Sequence, residues 1–234
     1  MFKHRSTLCE LLDQEHIPKR DLFQNLKELD FINQWLGGYQ VTYAALKGIL
    51  VKGKTYTLVD IGCGGGDTVK RISRWSKRQG YELELAGIDL KMDCIDYAKT
   101  EQIDQNILFY CDDYRNMFHY FDKVDIIHAS LFCHHFSNQD LVKLIELALK
   151  EHCVLIINDL ERNPLAYYAI KFLTFLFSKS YLVKNDAPLS VLRGFKKKEW
   201  QAMVQQAGAA HYTIKNKWAF RHEIIIYGNR EPEV

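Results

Sequence analysis

The sequence has no CxxC pair, and its six cysteines (positions 9, 63, 94, 111, 133 and 153) are scattered along 234 residues. That spacing excludes a short-chain disulfide framework and suits free thiols in a reducing cytoplasm. It also lacks a charge surplus. A formal net charge of +2 leaves no electrostatic footprint of a dedicated nucleic-acid binder. The three consecutive lysines Lys196, Lys197 and Lys198 read as a solvated helix face. The opening MFKHRSTLCELLDQEH has no apolar h-region, so no secretory signal is expected. The greasiest run, LAYYAIKFLTFLF at 165–177, is shorter than a bilayer crossing needs and carries Lys171, so no transmembrane helix is expected. There are no internal repeats and no low-complexity segments. The remainder is ordinary for a soluble globular chain, 47% apolar and 26% charged, long enough for one domain with an added lid.

From Thr55 onward, short apolar runs alternate with longer helical patterns, which argues for a parallel sheet covered by helices. The expected strands are 55–61, 83–89, 107–110, 123–129 and 153–159, with helices at 68–78, 94–100 and 140–150 between them. A long insertion spans 160–195, and a helix follows that stops at Gly208. The last two strands, 211–218 and 222–228, are separated by too few residues for a parallel crossover and must pair antiparallel. The fold class expected is α/β: a Rossmann-like, seven-stranded, mostly parallel sheet with an antiparallel C-terminal strand and helices on both faces. Residues 1–50 are expected to form an N-terminal helical cover, with helices at about 6–15 and 20–36. Residues 51–234 then form the main domain, in which 160–195 serves as a helical lid.

VDIGCGGGDTVKR (59–71) lies between the first strand and its helix. Glycines at 62, 64 and 66 allow a tight turn and close approach of backbone to a ligand. The helix beyond presents free N–H groups and partial positive charge. A dinucleotide fingerprint would want its third glycine at the place Asp67 holds. An anionic side chain there is a poor neighbour for a pyrophosphate and a better one for an amino-acid moiety with an ammonium group. At the end of the second strand, Asp89 can accept both hydroxyls of a ribose, and can also cap the next helix. At the end of the third, Asp112 is placed to accept from an adenine amino group; Asp113 could serve instead, or either could cap a turn. Glycines, an acid and an acid on three consecutive strand ends converge on one nucleoside site.

The ordered run VDIGCGGGD, GIDL (87–90), CDD and FDKVDIIHASLFCHHF resembles the class I S-adenosylmethionine-dependent methyltransferases, and more narrowly their small-molecule, ubiquinone/menaquinone-methylase-like group. The flanks HRSTLCELLD and NDLERNPLAYY resemble a bacterial subset associated with polyketide-type biosynthesis. The resemblance implies S-adenosyl-L-methionine as cofactor and S-adenosyl-L-homocysteine as product. It implies binding roles for Gly62, Gly64, Gly66, Asp89, Leu90, Asp112, Asp113 and Ser130, with Asp60 supporting the loop. It names no substrate.

With the donor over the first three strand ends, the acceptor belongs at the fourth and fifth, beside SLFCHHF (130–136) and NDLER (158–162). The Phe- and Tyr-rich insertion fits an ordinary packed helix, a lid over an apolar acceptor, or a dimer interface. Transfer requires in-line attack on the methyl carbon, and a phenol or enol must also lose a proton, for which the resemblance to related enzymes favours His134. His135 is expected to make a structural hydrogen bond, and His128 to be a core residue. Arg193 or Arg162 could stabilise a phenolate. No metal is expected, because three adjacent residues such as Cys133, His134 and His135 project in different directions. The reading is an O-methyltransferase of a small, apolar, aromatic or polyketide-like metabolite, cytoplasmic and monomeric or homodimeric, without nucleic-acid partners. The alternatives are a C-methyltransferase of a quinone-like substrate and a non-catalytic nucleoside-binding protein. An amino-methylating DNA enzyme would need an [DNS]PP[YFW] motif where ASLFCHHF stands; NPLAYY follows the wrong strand and lacks the second proline.

Overall fold

A computed structural model describes residues 2–101 and 104–228. Its seven strands are β1 (Thr55–Ile61), β2 (Glu82–Asp89), β3 (Ile107–Cys111), β4 (Ile126–Ser130), β5 (Val154–Leu160), β6 (Tyr212–Lys217) and β7 (Arg221–Tyr227). They form one sheet in the order β3-β2-β1-β4-β5-β7-β6, in which β7 runs antiparallel to both of its neighbours. The sequence reverses direction between β1 and β4, which pair side by side with Asp60 opposite His128. This is the switch point at which open parallel sheets bind ligands.

The central strands are nearly continuous apolar runs because both faces are covered. On one face Val59, Ile61, Ile127, Leu155 and Ile157 pack with α5 (Asn138–Lys150) and α8 (Lys197–Gln206), whose Trp200 is fully buried. On the other, Leu58, Ile126, Ile156 and Ile225 pack with α2 (Gly38–Lys47), α3 (Asp67–Gln79) and α4 (Met92–Thr100).

The N-terminal segment differs from its expected form. Instead of a helix at 6–15, the chain runs extended through a short 3-10 turn at Leu11–Asp13. Tertiary partners hold it there. The Asp186 carboxylate accepts the Leu11 and Leu12 N–H groups at 2.8 Å, and the Ser6 N–H donates to the Leu192 carbonyl. The helix α1 (Lys19–Trp35) forms as expected, but Gly37-Gly38 is a junction rather than an end. Gly37 is left-handed and Gly38 opens α2, where a Cβ would lie 1.8 Å from Asn33 Oδ1. The insertion holds two helices, α6 (Pro164–Phe177) and α7 (Tyr181–Arg193). Glu28 of α1 accepts the Lys179 and Ser180 N–H groups between them and so fixes the break.

A buried polar chain ties the N-terminal helices to the sheet at the switch point. His128 Nδ1 donates to Asp60 Oδ1 (2.7 Å), which leaves Nε2 to accept from the Thr42 hydroxyl (3.0 Å). Thr42 accepts in turn from Asn158 Nδ2, which also donates to the Gly38 carbonyl at 2.8 Å. Asn158 Oδ1 accepts from Arg221, whose other amino group reaches Asn33 Oδ1. Every donor in the chain points the same way, from β7 through α2 to β1. Replacing His128 with Ala strands the Asp60 carboxylate in the interior, and urea unfolding should show a loss of about 3–5 kcal/mol. Thr42→Ala removes one link and should cost about 1 kcal/mol. A His128→Ala loss no larger than that of Thr42→Ala would refute the network's structural weight.

Candidate functional site

A cavity of about 550 Å³ opens at the carboxyl ends of β1, β2, β3 and β4. Its floor is the glycine loop. Gly62 has φ +63°, and a Cβ on it would lie 2.0 Å from Phe132 Cδ2, so only glycine lets that ring close over the loop. Gly66, also left-handed, caps α3 with its Cα against the Phe109 ring. Gly62, Gly64, Gly65 and Asp67 line the cavity. Asp60 and Gly66 lie behind the lining, Asp60 committed to His128.

Asp89 lines the cavity and holds two backbones at once. Its Oδ2 accepts from the Gly64 N–H and its Oδ1 from the Lys91 N–H, both at 2.9 Å, so it fixes the loop and the start of α4 together. Burial raises its carboxyl against those two bonds. Each oxygen retains a lone pair, the requirement for a ribose diol. Leu90 beside it is exposed at the cavity rim, a flat apolar surface for a base. Asp112 and Asp113 also line the cavity. Asp112 accepts from Asn116 Nδ2, the Asp113 N–H and the Tyr120 hydroxyl, and these hydrogen bonds hold it below the usual carboxylate range. Asp113 caps the following turn and pairs with Arg115. Ser130, at the end of β4, lines the cavity with a buried hydroxyl that has no protein partner. Leu131 after it is forced to φ +53°, a strained conformation for a leucine.

The opposite wall is apolar. Tyr114, Phe132 and Phe136 meet edge to face, with centroids 4.7 to 6.0 Å apart. Beyond them the two histidines exchange the positions expected from sequence. His135 lines the cavity, whereas His134 is buried (2% exposed) and stands outside the lining. Cys133, His134 and His135 form a single 3-10 turn, and Asp159 at the end of β5 pins it. The Asp159 carboxylate accepts from His134 Nδ1 (2.7 Å) and from the His134 N–H (2.9 Å). Burial works to raise Asp159, but the charge and hydrogen bond of His134 outweigh it and hold the carboxyl low.

The N-terminal segment completes this end. Glu10 Oε1 is 3.6 Å from His134 Nε2, and Glu10 Oε2 is 3.8 Å from His135 Nε2. Burial pushes the Glu10 carboxyl up to about 7 against His135, Ser190 and Arg193. Burial also works to raise Asp13, yet His135 at 3.1 Å and Arg193 hold it at about 2. Neither arginine proposed for a phenolate faces the cavity. Arg162 is bound to Glu199 and the Gly194 carbonyl, and Arg193 donates to the His134 and His135 carbonyls.

Glu10, Asp13, Asp30, Asn33 and Tyr39 had no place in the sequence reading of the site, yet all but Glu10 line the cavity. Their positions follow from the extended course of the N-terminus and from the Gly37-Gly38 junction, which leave no periodic mark. Conversely, no residue of the insertion 160–195 lines the cavity. Much of α6 is apolar and exposed, including Tyr168, Phe172, Phe175 and Phe177.

Residues 58–150 match the family described as a methyltransferase domain. No curated protein matches the chain. Among solved structures, the plantazolicin methyltransferase BpumL, crystallised with a monoazolic desmethylPZN analog and SAH, superposes with a TM-score of 0.61 at 16% identity, covering 90% of this chain and 89% of that one. Human N-acetylserotonin methyltransferase in complex with SAM also gives 0.61 at 16% identity, covering 91% and 57%. The CMeT domain of the citrinin polyketide synthase gives 0.54 at 15%, covering 76% and 48%. These likenesses establish the fold, a Rossmann-like methyltransferase fold with six strands in one direction and β7 against them. Residues 58–150 thus match a methyltransferase domain, set in a methyltransferase fold.

Asp67 lines the cavity, and its recognition of a donor's ammonium group is a prediction that can be measured. Burial raises its carboxyl to about 6, with Asp30 adding to the shift and Lys70 and Arg71 opposing it. The ionised form attracts an ammonium and the protonated form does not, so falling pH must weaken binding. Calorimetry with S-adenosylhomocysteine should show flat affinity above neutral pH and a decline approaching tenfold per pH unit below about 6. Asp67→Asn should bind more weakly at neutral pH and lose that slope; a slope that survives the substitution assigns it to another group.

Proposed function

We propose that the protein methylates a hydroxyl oxygen of a small apolar metabolite, aromatic or polyketide-like, by in-line transfer from S-adenosylmethionine. One observation carries the reading: the aromatic wall of Tyr114, Phe132 and Phe136 lines the same cavity as the paired side chains of His135 and Asp13. An apolar ring has a surface to lie on, and its hydroxyl has proton-accepting neighbours at the end where the methyl must arrive. Positioning supplies most of the acceleration, because a sulfonium methyl needs only a correctly aligned nucleophile. The donor takes the ends of β1 to β3, with Asp89 on the ribose, Leu90 against the base, Asp112 or Asp113 toward the adenine edge and Ser130 toward the reacting end.

The acceptor contact expected of His134 is proposed for His135, which lines the cavity; His134 acts through the turn it shares with His135 and through Asp159. Residues 1–50 are the cover in this reading, since Leu12, Asp13, Leu26, Asn33 and Tyr39 face the cavity. The insertion 160–195 braces that cover through Asp186, which holds the Leu11 and Leu12 amides, and through the Glu28 contact. The six cysteines are unpaired and no described helix is long and apolar enough to cross a membrane, so the cytoplasm is the compartment proposed.

The test is incubation with methyl-labelled S-adenosylmethionine and a panel of phenols and β-dicarbonyl polyketide mimics, with the labelled atom located by NMR. Label on oxygen is expected; label on carbon alone would replace this reading with C-methylation, and binding without any transfer would favour a nucleoside-binding protein. On an active phenol, His135→Ala should lower kcat by about 10²–10⁴-fold. S-adenosylhomocysteine affinity should be unchanged in that variant, and wild-type turnover would remove His135 from the reaction.

A further inference from the structure

The Glu10, His134 and His135 side chains converge, with one ligand-type atom from each lying within 4.8 Å of the others. Both imidazoles are oriented from behind by carboxylates: His134 Nδ1 lies 2.7 Å from Asp159, and His135 Nδ1 lies 3.1 Å from Asp13. With Nδ1–H committed on each ring, both Nε2 lone pairs face the Glu10 carboxylate. Three acceptors therefore point at one another across 3.6 and 3.8 Å. Something positive belongs between them, either a proton or a cation.

The distances discriminate between the two. A shared proton would draw nitrogen and oxygen to about 2.7–3.2 Å. Around a tetrahedral zinc ion, ligand atoms at about 2.0–2.1 Å from the metal stand roughly 3.4 Å apart. The two nitrogen–oxygen separations, one to each Glu10 oxygen, are beyond the first range and within a few tenths of an ångström of the second, and all three ligand atoms lie within 4.8 Å of one another. Charge agrees. Three carboxylates (Glu10, Asp13 and Asp159) touch the two rings, and one guanidinium, Arg193, lies against Glu10 and Asp13. Arg5 donates to the Arg193 and His134 carbonyls and to Asn138 Oδ1, and hydrogen-bonds none of the three carboxylates. Arg193 does not close onto Glu10, since its donors go to the Leu8, His134 and His135 carbonyls and to Asp13, leaving its Nε 3.8 Å from Oε1.

The geometry points to a divalent metal site of the zinc type, with Glu10, His134 and His135 as protein ligands and an open fourth position toward the cavity that His135 lines. Two histidines and a glutamate with one open position are a donor set of catalytic rather than structural zinc. Carboxylates behind both rings are the outer partners that metal-ligating histidines need to fix tautomer and orientation. An ion here would lower the pKa of a hydroxyl placed beside it. That use rests on the O-methyl transfer reading; the site itself does not.

The test titrates untagged, chelator-treated protein with Co²⁺ near neutral pH. One equivalent should produce the visible absorption of a four-coordinate ion, and Zn²⁺ should displace it. Glu10→Gln should abolish the signal, and Asp159→Asn should weaken affinity about 10–100-fold. Calorimetry with S-adenosylhomocysteine on each variant reports whether it is folded. X-ray absorption of the zinc-loaded wild type supplies a readout that needs no variant, and two imidazoles in the first shell are expected. Failure of the wild type to bind Co²⁺ would overturn the site, as would equal binding by folded Glu10→Gln or a shell without imidazole. Loss of S-adenosylhomocysteine binding by wild type would instead count against the donor reading and leave the metal result standing.

Discussion

The Asp60–His128 contact is the constraint on which the rest of the structure depends. It lies where β1 and β4 part company, the one place in the sheet where a ligand cleft must open. A buried carboxylate there is costly unless it is paired and hydrogen-bonded. His128 meets that need only because its far nitrogen is answered by Thr42, Thr42 by Asn158, and Asn158 by Arg221. One buried charge thus demands a helix, α2, that does not belong to the sheet. The N-terminal helices are fastened to the switch point by polar bonds, where apolar packing alone would tolerate sliding.

The same economy governs the donor end. Asp89 anchors the glycine loop through Gly64 and starts α4 through Lys91, while keeping lone pairs toward the cavity. Loop shape and the acceptor lone pairs turned to the cavity are therefore properties of a single carboxylate. Gly62 yields its side-chain volume to Phe132, which in turn builds the aromatic wall with Tyr114 and Phe136. Glycine loop and aromatic wall are in contact through that one glycine.

How much of this was legible in the sequence follows from the range of the forces involved. The sheet was legible because strand period and turn chemistry are local: β1 was expected at 55–61 and lies there, and the short link at 218–220 did require an antiparallel hairpin. The donor motifs were legible because each sits at a strand end. The N-terminus was not, because residues 6–15 are shaped by Asp186, Leu192 and Arg193, about 180 positions away. Likewise α2 was hidden behind Gly37-Gly38, which resembles a helix stop but is a close crossing of Gly38 over Asn33. The insertion's aromatic content suggested a lid, yet much of α6 turns outward and the covering falls to residues whose pattern carries no signal.

The histidine pair shows the limit most sharply. Adjacent residues do project in different directions, and Cys133 obeys that rule by turning fully into the core. His134 and His135 depart from it because a 3-10 turn pinned at Asp159 brings their rings to 4.4 Å. The third member of the group, Glu10, comes from a segment more than a hundred residues earlier that is held in place by Ser190 and Arg193. Three acidic side chains and two imidazoles are thereby gathered beside the cavity, with Asp13 and His135 in its lining. His135 and Asp13 of that group share the cavity with the glycine loop and Asp89, and the aromatic wall of Tyr114, Phe132 and Phe136 meets the loop at Gly62.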